Sequence, residues 1–221
     1  MNLRICHISD THGHFPELLG SFDVVVHSGD FFPNFTDISK DLDAAYQHDW
    51  LKSNLPFIKK WLGPHTLLFT LGNHDFLDPS LMEKELKKHK ISAKCLHDKV
   101  VDFNEYSFYG FPYVPYINGS FMYERQFPEM QQEVDKMVKI VNSKHVDILV
   151  CHAPPYQTLD KAQNFQNYGN LAMANAIDYK IDEGRMPTHY LCGHIHNARG
   201  LKLRNQLLVS NAACYQQIIE V

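Results

Sequence analysis

The chain predicts an α/β fold, a four-layer α/β/β/α sandwich of two mixed β-sheets flanked by helices, and three observations carry that expectation. Short apolar runs recur along the chain, each ending in a polar cluster. Stretches with helical spacing of apolar residues lie between them, and the C-terminal part is rich in strand-like segments. With 221 residues, 44% hydrophobic and 21% charged, the chain suits one domain, residues 1–221, with a substantial core. It shows no linker, internal repeat or low-complexity tract.

Taken in order, residues 3–8 read as a strand that turns off into Asp10-Thr11-His12-Gly13-His14. Alternate residues of an extended stretch point the same way, so Asp10 and His12 can hold one ion. A helix-capping Asp beside a surface His is the rival reading, and recurrence of the pattern at Gly193-His194-Ile195-His196 favours the ligands. His14 is read as a surface or supporting residue. Residues 24–26 lead through His27-Ser28-Gly29 to Asp30, whose two carboxylate oxygens suit it to bridging two cations. Gly29 leaves room for close approach, and His27 either supports the site or is a satisfied buried histidine. Residues 37–62 turn helical, with Leu51, Leu55, Ile58 and Leu62 on one face. Pro56 is expected to divide them, Ser53 or Asn54 capping a second helix. Trp50 and Trp61 read as packing residues.

Residues 66–71 form a buried strand and deliver Gly72-Asn73-His74-Asp75 to its carboxyl end, where open α/β sheets bind ligands. Residues 78–90 form a helix whose lysines make a solvated face. Residues 99–103 and 106–111 alternate around Asn104-Glu105 as a hairpin. Residues 111–123 are aromatic and punctuated by proline, hence a loop. It either walls a ligand cleft and stacks on an aromatic group, or packs on its own side chains. Met130, Val134, Met137, Val138 and Val141 mark an amphipathic helix. Residues 146–151 form a strand, after which Pro154 and Pro155 force the chain out of the sheet and leave His152 at its edge. A helix over residues 170–179 returns the chain to the strand before Gly193. Residues 200–203, 206–211 and 215–221 read as strands of a second sheet.

Asp-x-His, Gly-Asp, Gly-Asn-His-Asp, a lone His after a strand and Gly-His-x-His, in this order from Asp10 to His196, resemble the calcineurin-like metallophosphoesterase superfamily. The resemblance implies the same sandwich fold. It implies that Asp10, His12 and His196 hold one metal ion and Asn73, His152 and His194 another, with Asp30 bridging. Two divalent or trivalent ions are expected, Mn²⁺ first, with Fe or Zn²⁺ also suited to nitrogen and oxygen ligands. Such a pair lowers the pKa of a shared water, giving a hydroxide nucleophile near neutral pH. The resemblance makes His74 the proton donor to the leaving oxygen or a stabiliser of developing charge, with Asp75 orienting it.

No arginine follows Gly29-Asp30, where protein phosphatases of the superfamily carry one, and this favours a phosphodiester. His27-Ser28-Gly29-Asp30-Phe31, Tyr109-Gly110-Phe111-Pro112, His152-Ala153-Pro154-Pro155 and Ser210-Asn211-Ala212 resemble the branch that includes cyclic-nucleotide phosphodiesterases. The expected partner is therefore a small phosphoester, a nucleotide among the candidates. A phosphomonoesterase, a nuclease and a non-catalytic binding scaffold are the alternatives. The net charge of −4 gives no basic stripe for dedicated nucleic-acid binding. The absence of a signal-like or spanning segment leads to an expectation of a cytoplasmic protein with no membrane partner. Five cysteines at irregular spacing suggest no disulfide framework; Cys6, Cys151 and Cys192 read as packing residues.

Overall fold

The computed structural model describes residues 2–34 and 39–221. In chain order its elements are β1 (Arg4–Ile8), β2 (Val24–His27), α1 (Lys40–Leu62), β3 (Thr66–Phe69), α2 (Pro79–Lys88), β4 (Ala93–Cys95), β5 (Val100–Phe103) and β6 (Tyr106–Phe111). A short pair follows, β7 (Val114–Pro115) and β8 (Glu124–Arg125), then α3 (Phe127–Ser143), β9 (Ile148–Cys151) and α4 (Leu171–Tyr179). The chain ends with β10 (His189–Cys192), β11 (Gly200–Arg204), β12 (Leu207–Asn211) and β13 (Gln216–Glu220).

Among the described residues two large sheets form, in the orders β13-β1-β2-β3-β4 and β11-β12-β10-β9-β6-β5, beside the small β7-β8 pair. Strands β1 to β4 are parallel, as are β6, β9, β10 and β12, and antiparallel strands close the edges at β13, β5 and β11. Parallel strands are covered on both faces, and their near-continuous Val, Ile and Leu content answers to that. One face of each sheet meets the other: Ile5, Val24, Val26 and Leu68 pack with Phe108, Ile148, Val150 and Leu191. The outer face of the first sheet packs under α1 and α2 through Leu51, Leu55, Ile58, Met82 and Leu86. The outer face of the second packs under α3 and α4 through Val134, Met137, Val141, Ala172 and Ile177. The layers are therefore α/β/β/α, as the sequence predicts.

Local chemistry sets the boundaries. The side chains of Ser39, Asp78 and Asn170 accept from the first-turn amides of α1, α2 and α4. The hairpin turns at Asn104, whose φ of 53° an asparagine tolerates. Of the predicted helical stretch, residues 37 and 38 lie outside the described residues.

Two expectations need correction. Helix α1 runs unbroken through Pro56. Pro56 is exposed, so the carbonyl that loses its amide partner there can turn to water, while Leu51, Leu55, Ile58 and Leu62 bury both halves against one sheet. Asn54 caps no second helix; its Nδ2 donates to the Trp50 carbonyl at 2.8 Å. The last strand does not join the second sheet. β13 crosses back to pair antiparallel with β1, Ile5 opposite Ile219, and caps the first sheet's edge. The short strand β4 was not expected.

Candidate metal centre

Strand register brings the polar clusters to one level. Ile8 pairs with His27 and His27 with Phe69, so β1, β2 and β3 end together; Leu191 pairs with Val150, so β9 and β10 do too. The loops that follow these five strands carry Asp10 and His12, Asp30, Asn73 and His74, His152, and His194 and His196. Asp10, Asp30, Asn73 and His152 are buried, His12, His74 and His194 are half-buried, and His196 is exposed.

The loops are bent sharply to aim these side chains. Asp10, His12, Asp30 and His194 have φ of 53°, 44°, 56° and 66°, a region that L-residues enter at a cost and that gathers at functional sites. Glycines make the approach possible. A Cβ on Gly29 would fall 2.3 Å from His152 Nδ1, and one on Gly193 would collide with Asp10 and Ser9.

Two sets of potential ligands converge, Asp10 with His12 and His196, and Asp10 with Asp30 and His152, the donor atoms of each set lying within 4.8 Å of one another. His196 Nε2 is 3.1 Å from Asp10 Oδ1. Asp30 Oδ2 reaches both sides, 3.8 Å from His12 Nε2 and 3.3 Å from His152 Nε2. Asn73 Oδ1 lies 3.0 Å from the same His152 nitrogen. The His194 ring stands edge-on to that of His152, centroids 5.0 Å apart.

Hydrogen bonding tests whether this set fits cations. His152 Nδ1 lies 3.0 Å from the Ser28 carbonyl, which can only accept, so Nδ1 carries a proton and Nε2 faces the oxygens of Asn73 and Asp30. Such a meeting of acceptors needs a positive charge among them, a proton on Nε2 or a metal ion in its place. His12 Nδ1 is buried without a hydrogen-bond partner. Burial would lower the His152 pKa, but the charge and hydrogen bond of Asp30, with Asp10, raise it to about 9. Burial would raise the Asp30 pKa, and His152, His74 and His12 together hold it well below the carboxylate range. The donors are nitrogen and oxygen, the set that suits Mn²⁺, Fe or Zn²⁺. The residues therefore fit metal ions.

His74 sits beside this cluster. Its backbone N–H donates to Asp30 Oδ1 at 2.9 Å, and its ring centroid is 5.3 Å from that of His12. Burial, only partly offset by Asp30, lowers its pKa. Asp75 does not meet the His74 ring as the sequence suggests. Its carboxylate accepts from the amides of Phe31, Phe32 and Gly72 at 2.8 to 2.9 Å, tying the Asp30 loop to the Asn73 loop. Burial and the charge of Asp30 push Asp75 up to about 7 against the pull of those amides.

His27 is a buried histidine with both ring nitrogens hydrogen-bonded. The Gly29 amide donates to its Nδ1, so Nε2 carries the proton and donates to Thr11 Oγ1 at 3.0 Å, between Asp10 and His12. Burial lowers its pKa to about 3, which keeps it neutral. His14 is exposed; Cys6, Cys151 and Cys192 are buried and unbridged.

Sequence reasoning missed Gln47. It is buried, donates to the His74 carbonyl at 2.7 Å and accepts from the Phe76 amide at 2.7 Å. Its signal was a polar residue on the stripe of Leu51, Leu55, Ile58 and Leu62. Cys214, whose Sγ is 3.6 Å from His196 Nδ1, gave no such signal, whereas Asn211, whose Nδ2 donates to the Ile195 carbonyl, lies in the Ser210-Asn211-Ala212 stretch already singled out.

A cavity of about 590 Å³ opens over the cluster. Asp30, Asn73, His74, His194 and His196 line it, with Ile117, Phe121, Ala162, Gln163 and Asn197 beyond them. No Lys or Arg is among the described residues that line it. Arg199 lines a neighbouring groove instead, and Arg185 lies on an exposed turn.

Comparisons with known proteins bear on the fold and the family. Two UPF0046 proteins of Caenorhabditis elegans are similar to the chain, one 25% identical over 233 residues, covering 96% of this chain and 75% of that protein. The other is 24% identical over 216 residues, covering 96% and 69%. A solved crystal structure superposes with a TM-score of 0.65 at 13% identity, covering 100% of this chain and 99% of that one, a likeness of fold alone. The family profile described as Calcineurin-like phosphoesterase matches residues 3–198, and with that match over most of its length the chain belongs to the calcineurin-like phosphoesterase family.

Proposed function

We propose that the protein is a metal-dependent hydrolase of a phosphodiester. The observation that carries this reading is the convergence of Asp10, His12, Asp30, His152 and His196 in two ligand sets beneath one cavity. Asp10, His12 and His196 would hold one ion, and Asn73, His152 and His194 the other. Asp30 would serve both, because its Oδ2 faces His12 and His152. When bound, such ions would offset the charge of the phosphoryl oxygens and lower the pKa of a water molecule, whose conjugate base is the nucleophile.

The side chains do the rest. Ser28, through its carbonyl, keeps the His152 proton on Nδ1 and its Nε2 turned to the ligands. Asn73 offers a neutral oxygen, which limits the negative charge that a phosphate must approach. His74, with a lowered pKa, presents an N–H to the leaving oxygen as charge develops there. Asp75 acts through the backbone, holding the Asp30 and Asn73 loops at one spacing. A dianionic monoester would find no guanidinium or ammonium in the cavity, and this favours the singly charged diester.

The test compares hydrolysis of bis(4-nitrophenyl) phosphate with that of 4-nitrophenyl phosphate in Mn²⁺, with His74→Ala as control. A diester preference, with turnover lowered roughly 10²–10⁴-fold in the variant while metal still binds, is the expected result. Monoester preference would turn the reading to a phosphomonoesterase, and unchanged turnover in His74→Ala would remove that residue from the chemistry.

A further inference from the structure

The aromatic loop divides into a part that packs and a part that remains for a ligand. Phe111 and Val114 are buried in the protein, and Tyr113 and Tyr109 hydroxyls both donate to Asp98. Ile117 and Phe121 instead line the cavity over the ligand cluster. The half-buried Phe121 ring lies 4.6 Å from the ring of His74, centroid to centroid and tilted by 52°.

Polar contacts hold the backbone around Phe121 there. The Met122 amide donates to the carbonyl of Asn73 at 2.9 Å, which ties the loop to the chain that carries His74. From the start of α1, Lys40 Nζ donates to the carbonyls of Gly119 at 3.1 Å and Phe121 at 2.9 Å. The backbone around Phe121 is thus tied to the chain that carries His74 on one side and to α1 on the other, with the ring against His74. A fixed ring costs little to order when a second flat group meets it, and such pairs gain beyond the area they bury.

The rest of the lining sharpens the selection. A phosphoryl group seated on the ligand cluster places the ester arm beside His74 against Phe121 and Ile117, and amides of Gln163 and Asn197 complete the lining. An aromatic arm can stack there; a methyl group covers little of the ring; a second anionic group meets no Lys or Arg among the described lining residues.

We propose that Phe121 is a substrate-contacting residue that selects phosphoesters whose arm next to His74 is aromatic, and that Lys40 is its positioning residue. The inference rests on the reading of the cluster as a metal-held phosphoester site. Its test uses inert ligands and binding rather than turnover. Dimethylphosphinate and benzyl(methyl)phosphinate, singly charged like a diester and without an ester bond, are titrated calorimetrically into the full chain loaded with Mn²⁺. The wild type should bind the benzyl ligand roughly tenfold more tightly, the scale of one aromatic pair. Phe121→Ala and Phe121→Leu should still bind dimethylphosphinate and lose most of the preference; Phe121→Tyr should keep it. Lys40→Met should lose part of the preference and Lys40→Arg regain it. An undiminished preference in both Phe121→Ala and Phe121→Leu, or none in the wild type, overturns the proposal while dimethylphosphinate still binds. Failure of both phosphinates to bind the Mn²⁺-loaded wild type overturns the metal reading and this inference with it.

Discussion

Asp10, His12, Asp30 and His194 share a left-handed backbone that their residue types adopt reluctantly, and this strain is what turns four side chains off the strands toward one point. The sequence showed the residue types and their spacing, and five of the seven candidates, Asp10, His12, Asp30, His152 and His196, come together in two sets of potential ligands. It did not show which nitrogen of each imidazole faces the cluster, because that depends on partners distant in sequence, such as the Ser28 carbonyl for His152. The electrostatics of His152 yield a prediction at this scale. With its pKa raised to about 9, it is protonated at neutral pH, and a metal ion must displace that proton. The stabilisation that the proton gives is complete below the ordinary histidine pKa of about 6.5 and is lost as pH rises through about 9. Affinity for Mn²⁺ should therefore climb from pH 6 to pH 9, with proton release on binding at pH 7, measured by calorimetry in two buffers of different ionisation heat. An affinity flat across that range would mean that His152 is not a ligand.

Among the elements, strand ends and helices with clear apolar stripes were read correctly from the chain, since their periodicity is local. Pro56 misled because its usual effect is overridden where the freed carbonyl is solvated and the opposite face is deeply buried. Asp75 misled because adjacency to His74 suggested a side-chain contact, whereas its acceptors reach across to the loop after β2. This role makes its own prediction. Asp75→Ala leaves three buried amides without their acceptor, each lost partner costing about 1–3 kcal/mol before relaxation. The variant should melt well below the wild type and bind Mn²⁺ more weakly, by roughly 10–100-fold as for other residues that support a ligand shell. Thermal melts with and without Mn²⁺ read both effects; normal melting and normal affinity would show that the two loops hold their spacing without it.

Across the whole molecule, two parallel sheets stacked face to face bring five loops to one rim, and neither sheet alone supplies the set. The first gives Asp10, His12, Asp30, Asn73 and His74; the second gives His152, His194 and His196. The layer order could be read from the sequence, but the return of β13 to the first sheet could not, because its pairing with β1 joins the two ends of the chain and leaves no periodic trace. A pair of metal ions at that rim would clamp the two sheets together as well as supply chemistry. The most direct measurement is an anomalous difference map from crystals of the protein soaked in Mn²⁺. Two peaks should appear, one among Asp10, His12 and His196 and one among Asn73, His152 and His194, with Asp30 between them. A map with no peak at the strand ends, or with Mn²⁺ bound only elsewhere on the surface, would contradict the assignment of this cluster as a dinuclear metal centre.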